Sequence, residues 1–237
     1  MGAAVGFRTI EGVAGMTTAT TFAVKRTAKR ASANVRDPER TRAGILTAAT
    51  AEITAKGLGG ARVDEIAERA GVNKRMIYHY FGGKEGLYLA VLEAAYAEIR
   101  SEEIKLDLGK RDPVEGMSEL VLFTWNYYRE HPEFLSLLAT ENLHRAAYLK
   151  RSKKIRELHS PLIGMIGDLL QRGAKTKVFR KDVDPVELYI SIAALGFFYL
   201  SNRHTLSTIF GRDLTAPASV KARGEHLLDV VLSYLRP

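Results

Sequence analysis

The stretch that most restricts the fold is Ile66–Phe81, IAERAGVNKRMIYHYF. Ile66, Ala67 and Ala70 give a short helix one apolar face. Gly71 stands where such a helix needs a left-handed residue to stop. Val72 is apolar and plugs the corner, and Asn73 is a good N-cap for a second helix. On that second helix Ile77 and Phe81, four apart, turn inward, while Lys74, Arg75, Tyr78 and His79 face outward. Two short helices joined by a tight turn are a helix-turn-helix pattern. A helix that begins basic and carries phenol and imidazole groups on its open face suits the major groove of DNA. Its cations meet phosphates and its polar tips reach base edges.

Charge placement agrees. The chain has 237 residues and a formal net charge of +8. Residues 25–85 hold 13 lysines and arginines against 7 acids, so six of the eight surplus charges surround the presumed reader. A basic balance permits a polyanion partner without proving one. The remaining composition, 46% hydrophobic and 26% charged, is that of an ordinary globular chain of one large or two modest domains. There is no cysteine, which excludes disulfides and thiolate metal sites and fits a cytoplasmic protein. No apolar run reaches the ~18 residues of a membrane span. The first residues lack a basic start and a leucine-rich core, so a signal peptide is not expected.

The sequence also resembles a known family. TRAGILTAATAEITAKG (41–57) and VDEIAERAGVNKRMIYHYFGGKEGLY (63–88) are similar to the N-terminal DNA-binding domain of TetR-type transcriptional regulators. The matching features are Ile45 and Ala49 of a first helix, its terminal Gly57, Ile66-Ala67…Ala70-Gly71-Val72, Tyr78…Tyr80-Phe81, and Lys84-Glu85 opening a long fourth helix. Many members carry Thr or Ser at the positions of Ala61 and Arg62, so a hydroxyl contact to phosphate is replaced here by the charge of Arg62. Lys84 sits against the dipole of its own helix, an unfavourable place that makes sense beside a phosphate. The resemblance implies a DNA-contacting set of Arg62, Asn73, Lys74, Arg75, Met76, Tyr78, His79, Tyr80 and Lys84. It also implies a homodimer that places two recognition helices on a palindromic operator, with half-sites about 34 Å apart or slightly more. A small-molecule effector would control it, and repression is the usual outcome.

Outside the reader the chain reads as all-α, with nine or ten helices and no strand alternation longer than three or four residues. Residues 1–36 read as a disordered tail, in which Met16 offers an alternative start. Lys25, Arg26, Lys29, Arg30 and Arg36 form a basic arm that is either a solvated tail or a contact to phosphate or the minor groove. Residues 37–83 are the helix-turn-helix domain, and 84–237 a helical domain for ligand binding and dimerisation. Asp37-Pro38, Asp112-Pro113 and Asp184-Pro185 each open a helix as an N-cap followed by proline. GLGGA (57–61) reads as a loop, and Pro161 as a kink or the start of a new segment.

None of the six histidines has metal-ligand spacing; Glu141 and His144, three apart on one helix, fit a hydrogen-bonded pair better than a metal half-site. No nucleophile motif and no paired carboxylates stand in a recognisable frame, so no enzyme, cofactor or metal is expected. Trp125, Tyr128, Glu141, Asn142, His144, Tyr148, Phe198 and Asn202 are polar-aromatic residues on several helices. They are either core aromatics with wet tips or the lining of an effector pocket. From Val186 to Leu200 the chain is apolar nearly all round a helix, so two sides need cover and a second copy would supply one. The expected seam is Leu188, Ile192, Ala193, Gly196 and Leu200, with Leu227 and Val231 from the last helix. A non-specific architectural DNA binder is the rival reading, as is a helical ligand-binding protein with a vestigial reader.

Overall fold

Asp37 starts the first helix as its side chain requires. Its carboxylate accepts the Glu39 N–H at 3.0 Å and Pro38 follows at the first helical position. The computed structural model describes residues 37–237, apart from the side chains of residues 159 and 160. The expected tail and basic arm of residues 1–36 lie outside the described residues. Helix α1 spans Pro38–Gly60, followed by α2 (Val63–Arg69), α3 (Lys74–Phe81), α4 (Lys84–Lys105) and α5 (Pro113–Glu130). Then come α6 (Pro132–Leu143), α7 (Lys153–Lys175), α8 (Pro185–Phe210) and α9 (Pro217–Leu235). Short 3₁₀ turns lie at Leu108–Lys110 and Leu149–Arg151, and no strand occurs among the described residues.

One local expectation is corrected and one is narrowed. Gly57 adopts φ 66° and interrupts α1 as expected, but Leu58–Gly60 then form a further helical turn instead of an open loop. The buried Leu58 side chain holds this turn against the reader core, and Ala61 N–H closes it on the Gly57 carbonyl at 3.0 Å. Helix α7 runs through Pro161 without ending there. Proline removes one backbone bond, while Ile155, Leu162, Ile166 and Leu169 stay buried along a single stripe and keep both halves on one surface.

Helix α5 is the axis of the larger part. It packs against α4, α6, α7, α8 and α9. Met117, Leu120, Val121, Thr124, Trp125 and Tyr128 are all buried around it. Helices α8 and α9 approach it where they lack side chains. A Cβ on Gly196 would lie 3.4 Å from a Tyr128 ring carbon, and one on Gly224 would lie 3.0 Å from the Trp125 indole nitrogen. Helix α4 joins the three-helix head to this body and is about 33 Å long at 1.5 Å per residue. It lies beside α7, whose start is tied to the first half of α4 by Ser152 Oγ donating to Glu93 at 2.7 Å. At the other end Arg172 donates to the Leu108 and Arg111 carbonyls at 2.7 and 2.6 Å. Helix α1 also packs on α6, so head and body meet at a second place.

One pair of charges lies inside the body. Arg100 and Glu103 of α4 are 3% and 1% exposed and meet at 2.8 Å, Nη1 to Oε2, off the hydrogen-bond direction. Arg100 Nη2 donates to the Tyr189 hydroxyl of α8 at 3.0 Å. Arg100 Nε and Nη1 and both Glu103 oxygens have no hydrogen-bond partner among the described residues. Burial pushes the Glu103 carboxyl up to about 7, against the downward pull of Arg100. Between the ordinary value of 4.5 and about 7 the folded chain therefore keeps a proton that the unfolded chain releases. Stability from this group falls as pH rises through that window, and the whole cost is present above it. Denaturant unfolding at both ends of the window should show wild type losing more stability than Glu103→Gln, by about 1–3 kcal/mol, whatever the absolute stability of the variant. Equal losses would mean that folding does not raise the Glu103 carboxyl.

Candidate nucleic-acid interface

The turn between α2 and α3 closes through two backbone bonds at 3.0 Å, Val72 N–H to Ala67 and Gly71 N–H to Glu68. This doubly bonded helix end needs a left-handed residue, and Gly71 supplies φ 65°. A Cβ there would be strained. The Asn73 side chain then accepts the Arg75 N–H at 2.9 Å and starts α3, while Gly82 at φ 73° ends it. Ile77 is fully buried and pins α3 onto the head, whose core includes Ile45, Ala49, Ile53, Ile66 and Leu87.

This pinning sets the exposed face. Asn73, Lys74, Arg75, Tyr78 and His79 are exposed, with Tyr78 at 53%. Lys74, Arg75, Tyr78 and His79 lie on one side of α3, two cations followed by two hydrogen-bonding rings. Met76 and Tyr80 belong elsewhere. Both are half-buried and pack against the core, because the α3 period carries them toward the side of Ile77 and Phe81. They support the reading face more than they form it. Arg62 is exposed at the N-cap of α2, makes no capping bond, and lies 4.0 Å from Glu65. Lys84 is half-buried at the start of α4 and donates to the Gly59 carbonyl at 3.1 Å.

A charge network braces the head, and sequence reasoning missed it. Glu52 of α1 is fully buried, is 2.8 Å from Lys56 and 3.5 Å from Arg69, and Lys56 also bonds Glu65. The Lys56 hydrogen bond holds the Glu52 carboxyl below the usual range, against the effect of burial. Lys74 at the start of α3 donates to Asp64 of α2 at 2.9 Å and lowers that carboxyl as well. The i,i+4 spacing of Glu52 and Lys56 was the visible signal.

The residues expected at a dimer seam are packed within the single chain. Leu188, Ile192, Gly196 and Leu200 of α8 and Leu227 and Val231 of α9 are buried within the single chain, and Ala193 is half-buried. A Cβ on Gly196 would meet the Tyr128 ring of the same chain at 3.4 Å. The opposite side of α8 is the open one: Val186, Ile190, Ala194 and Phe198 recur every four residues, with Ile190 at 51% and Phe198 at 59% exposure.

The eight pocket candidates do not form one site. Trp125 and Tyr128 are core aromatics, the first edge-on to Tyr199 and the second stacked on Phe134. Glu141, His144 and Tyr148 gather at the α6–α7 connection, where Tyr148 packs edge-on against Tyr88 and Glu141 accepts the Leu149 N–H at 2.9 Å. Asn142 is exposed and donates to the Leu138 carbonyl; Phe198 and Asn202 are on the outer part of α8, Asn202 donating to the Phe198 carbonyl. Among the described residues no group of three or more acids and histidines is arranged to hold a metal ion, and no helix is long and apolar enough to cross a membrane.

Comparison with known proteins gives this geometry its context. Residues 45–91 match the model for bacterial regulatory proteins of the tetR family, and residues 113–231 match a tetracyclin repressor-like C-terminal domain. The HTH-type transcriptional repressor NicS of Pseudomonas putida is 40% identical over 186 residues, 78% of this chain and 88% of that protein. The HTH-type transcriptional repressor SCO4008 of Streptomyces coelicolor is 35% identical over 142 residues, 60% of this chain and 70% of that one. The ketosteroid transcriptional regulator KstR2 of Mycobacterium tuberculosis shares the fold at a TM-score of 0.62 and 21% identity, over 83% of this chain and 95% of that chain. With a capped basic recognition helix on a head that matches one family model and a helical body that matches the other, the chain belongs to the TetR family of DNA-binding transcriptional regulators.

Proposed function

We propose that this protein is a ligand-responsive repressor that acts in the cytoplasm as a homodimer on a two-fold symmetric operator. The observation that carries the reading is the exposed face of Lys74, Arg75, Tyr78 and His79 on a helix capped at both ends. A single α3 of eight residues reaches few base pairs, so two copies related by symmetry supply the specificity. The open apolar row of α8 supports the pairing. Val186, Ile190 and Phe198 would be covered by the same row of a second copy, in a contact whose two sides are identical.

Effector control fits the buried Arg100–Glu103 pair. Its unmet polar atoms offer a donor and an acceptor side by side in the body, and Tyr189 connects them to α8. A small polar molecule that satisfied them would favour the spacing of α4 and α8 that admits it. Because α4 carries the head, the reader positions in a dimer would shift with it. Only a difference in effector affinity between the two spacings has this effect.

Arg75→Ala and Tyr78→Ala should each weaken operator binding by about 5- to 100-fold, the ~1–3 kcal/mol of a good base or phosphate contact, and leave the melting temperature nearly unchanged. Wild-type affinity in both variants, or equal wild-type affinity for operator and random DNA, would remove the sequence-reading role. Phe198→Glu should convert the dimer to a monomer in light scattering and abolish operator binding with the reading face untouched. A dimer that persists would place the seam off α8.

A further inference from the structure

Far from the reader, the corner between α7 and α8 forms a groove of about 620 Å³. Its rim carries Lys175, Lys177, Arg180 and Lys181 against a single acid, Asp182. No ion pair to any of these four cations occurs among the described residues, whereas Lys56, Lys74, Lys105 and Lys110 each have a carboxylate partner. Lys175 sits in the last turn of α7, where the helix dipole favours a cation. Arg180 and Lys181 lie beyond that turn, so the dipole does not account for them.

The rim is held in place. Lys177 and Asp182 both have φ 61°, a left-handed backbone that costs a non-glycine residue about 1–2 kcal/mol each. The Val178 and Phe179 N–H groups both bond the Gly173 carbonyl, at 3.0 and 3.1 Å. Phe179 is buried directly on Gly173, where a Cβ would come within 2.0 Å of its ring. On the far side the Arg180 guanidinium lies 4.9 Å over the Tyr234 ring of α9. The cations thus project from a fixed loop. The floor beneath them is apolar, formed by Leu170, Val183 and Pro185.

We propose that this groove binds a small polyphosphate-bearing molecule. Several cations without a carboxylate partner, carried on a braced backbone, suit a chain of phosphates better than one carboxylate, and the volume is in the range of small-molecule sites. An apolar floor beside the cations fits a flat organic group attached to the phosphates. Inorganic polyphosphate and a nucleoside polyphosphate share the recognised chemistry. The groove is separated from the recognition helix by the length of α4, since α7 begins beside the first half of α4 and ends beyond its last turn. DNA on the reader therefore leaves it open.

The test is calorimetric titration of the full chain with sodium tripolyphosphate, and with ATP, at matched ionic strength. The reader is a second basic surface, so two variants separate the sites: Lys177→Ala/Lys181→Ala at the groove and Lys74→Ala/Arg75→Ala at the reader. Lysine and alanine tolerate the left-handed backbone at 177 about equally, so the groove variant folds. Saturable tripolyphosphate binding should weaken by about tenfold or more in the groove variant and stay within about twofold in the reader variant. Tighter binding of ATP would identify a nucleoside on the apolar floor; equal binding would leave the phosphates as the whole recognised group. Absence of saturable binding to wild type, or its loss in the reader variant alone, would overturn the site.

Discussion

Trp125 and Tyr128 rest on bare backbone of two other helices, and that contact orients the whole body. Their rings occupy the room left at Gly224 and Gly196. A Cβ on Gly196 would meet these rings at 3.4 Å and one on Gly224 at 3.0 Å, so the bare backbone lets α8 and α9 lie close against α5. Leu188, Ile192 and Leu200 then turn inward together, and Val186, Ile190 and Phe198 turn outward. The open face of α8 is thus decided inside the chain, by the packing of α8 on α5. A side chain larger than alanine at either glycine would press on these rings in the core.

The head uses a different means of support. It is small, and its apolar centre relies on short side chains such as Ala48, Ala49, Ala61 and Ala67. Charges supply further ties. Glu52 holds Lys56 and Arg69, and Asp64 holds Lys74, so α1, α2 and α3 are linked in sequence. The buried Glu52 carries most of this, since it sits where water cannot replace a lost partner. The body also buries a charge pair, its members 3% and 1% exposed. Its buried Arg100 and Glu103 are imperfectly matched and leave polar atoms unmet, which weakens the fold at the point where α4 and α8 meet.

What was legible in the sequence was local. Asp112 and Asp184 cap their helices with the bonds that Asp-Pro pairs foretell, each side chain accepting the N–H groups two and three residues on. The turn at Gly71 and the four outward residues of α3 followed from the same short-range rules. The inward lean of Met76 and Tyr80 needed the helix period to be pressed further than their polarity and size suggested. The faces of α8 were beyond local reasoning. Both are apolar, and the choice depends on rings of α5 far away in the chain. Arg100 and Glu103 are spaced like a solvated pair on a helix surface, and only the packing of α5 and α8 over them makes them interior. The eight polar aromatics shared a composition but no neighbourhood, because polarity alone carries no information about which helices meet.

Lys74 and Lys84 are occupied before any DNA arrives, one by the Asp64 carboxylate and the other by the Gly59 carbonyl. If these lysines meet phosphate as proposed, the Lys74–Asp64 ion pair competes with it, while the Lys84 ammonium has further donors beside the one on the carbonyl. Cations already partnered within the chain exclude fewer mobile ions from the DNA than free cations would, so fewer counterions return to solution than a count of basic groups suggests. In that reading Asp64 remains beside the polyanion as an opposing charge near the start of α3. Grip on DNA of any sequence would be blunted by this, and discrimination would rest more heavily on the exposed rings of Tyr78 and His79.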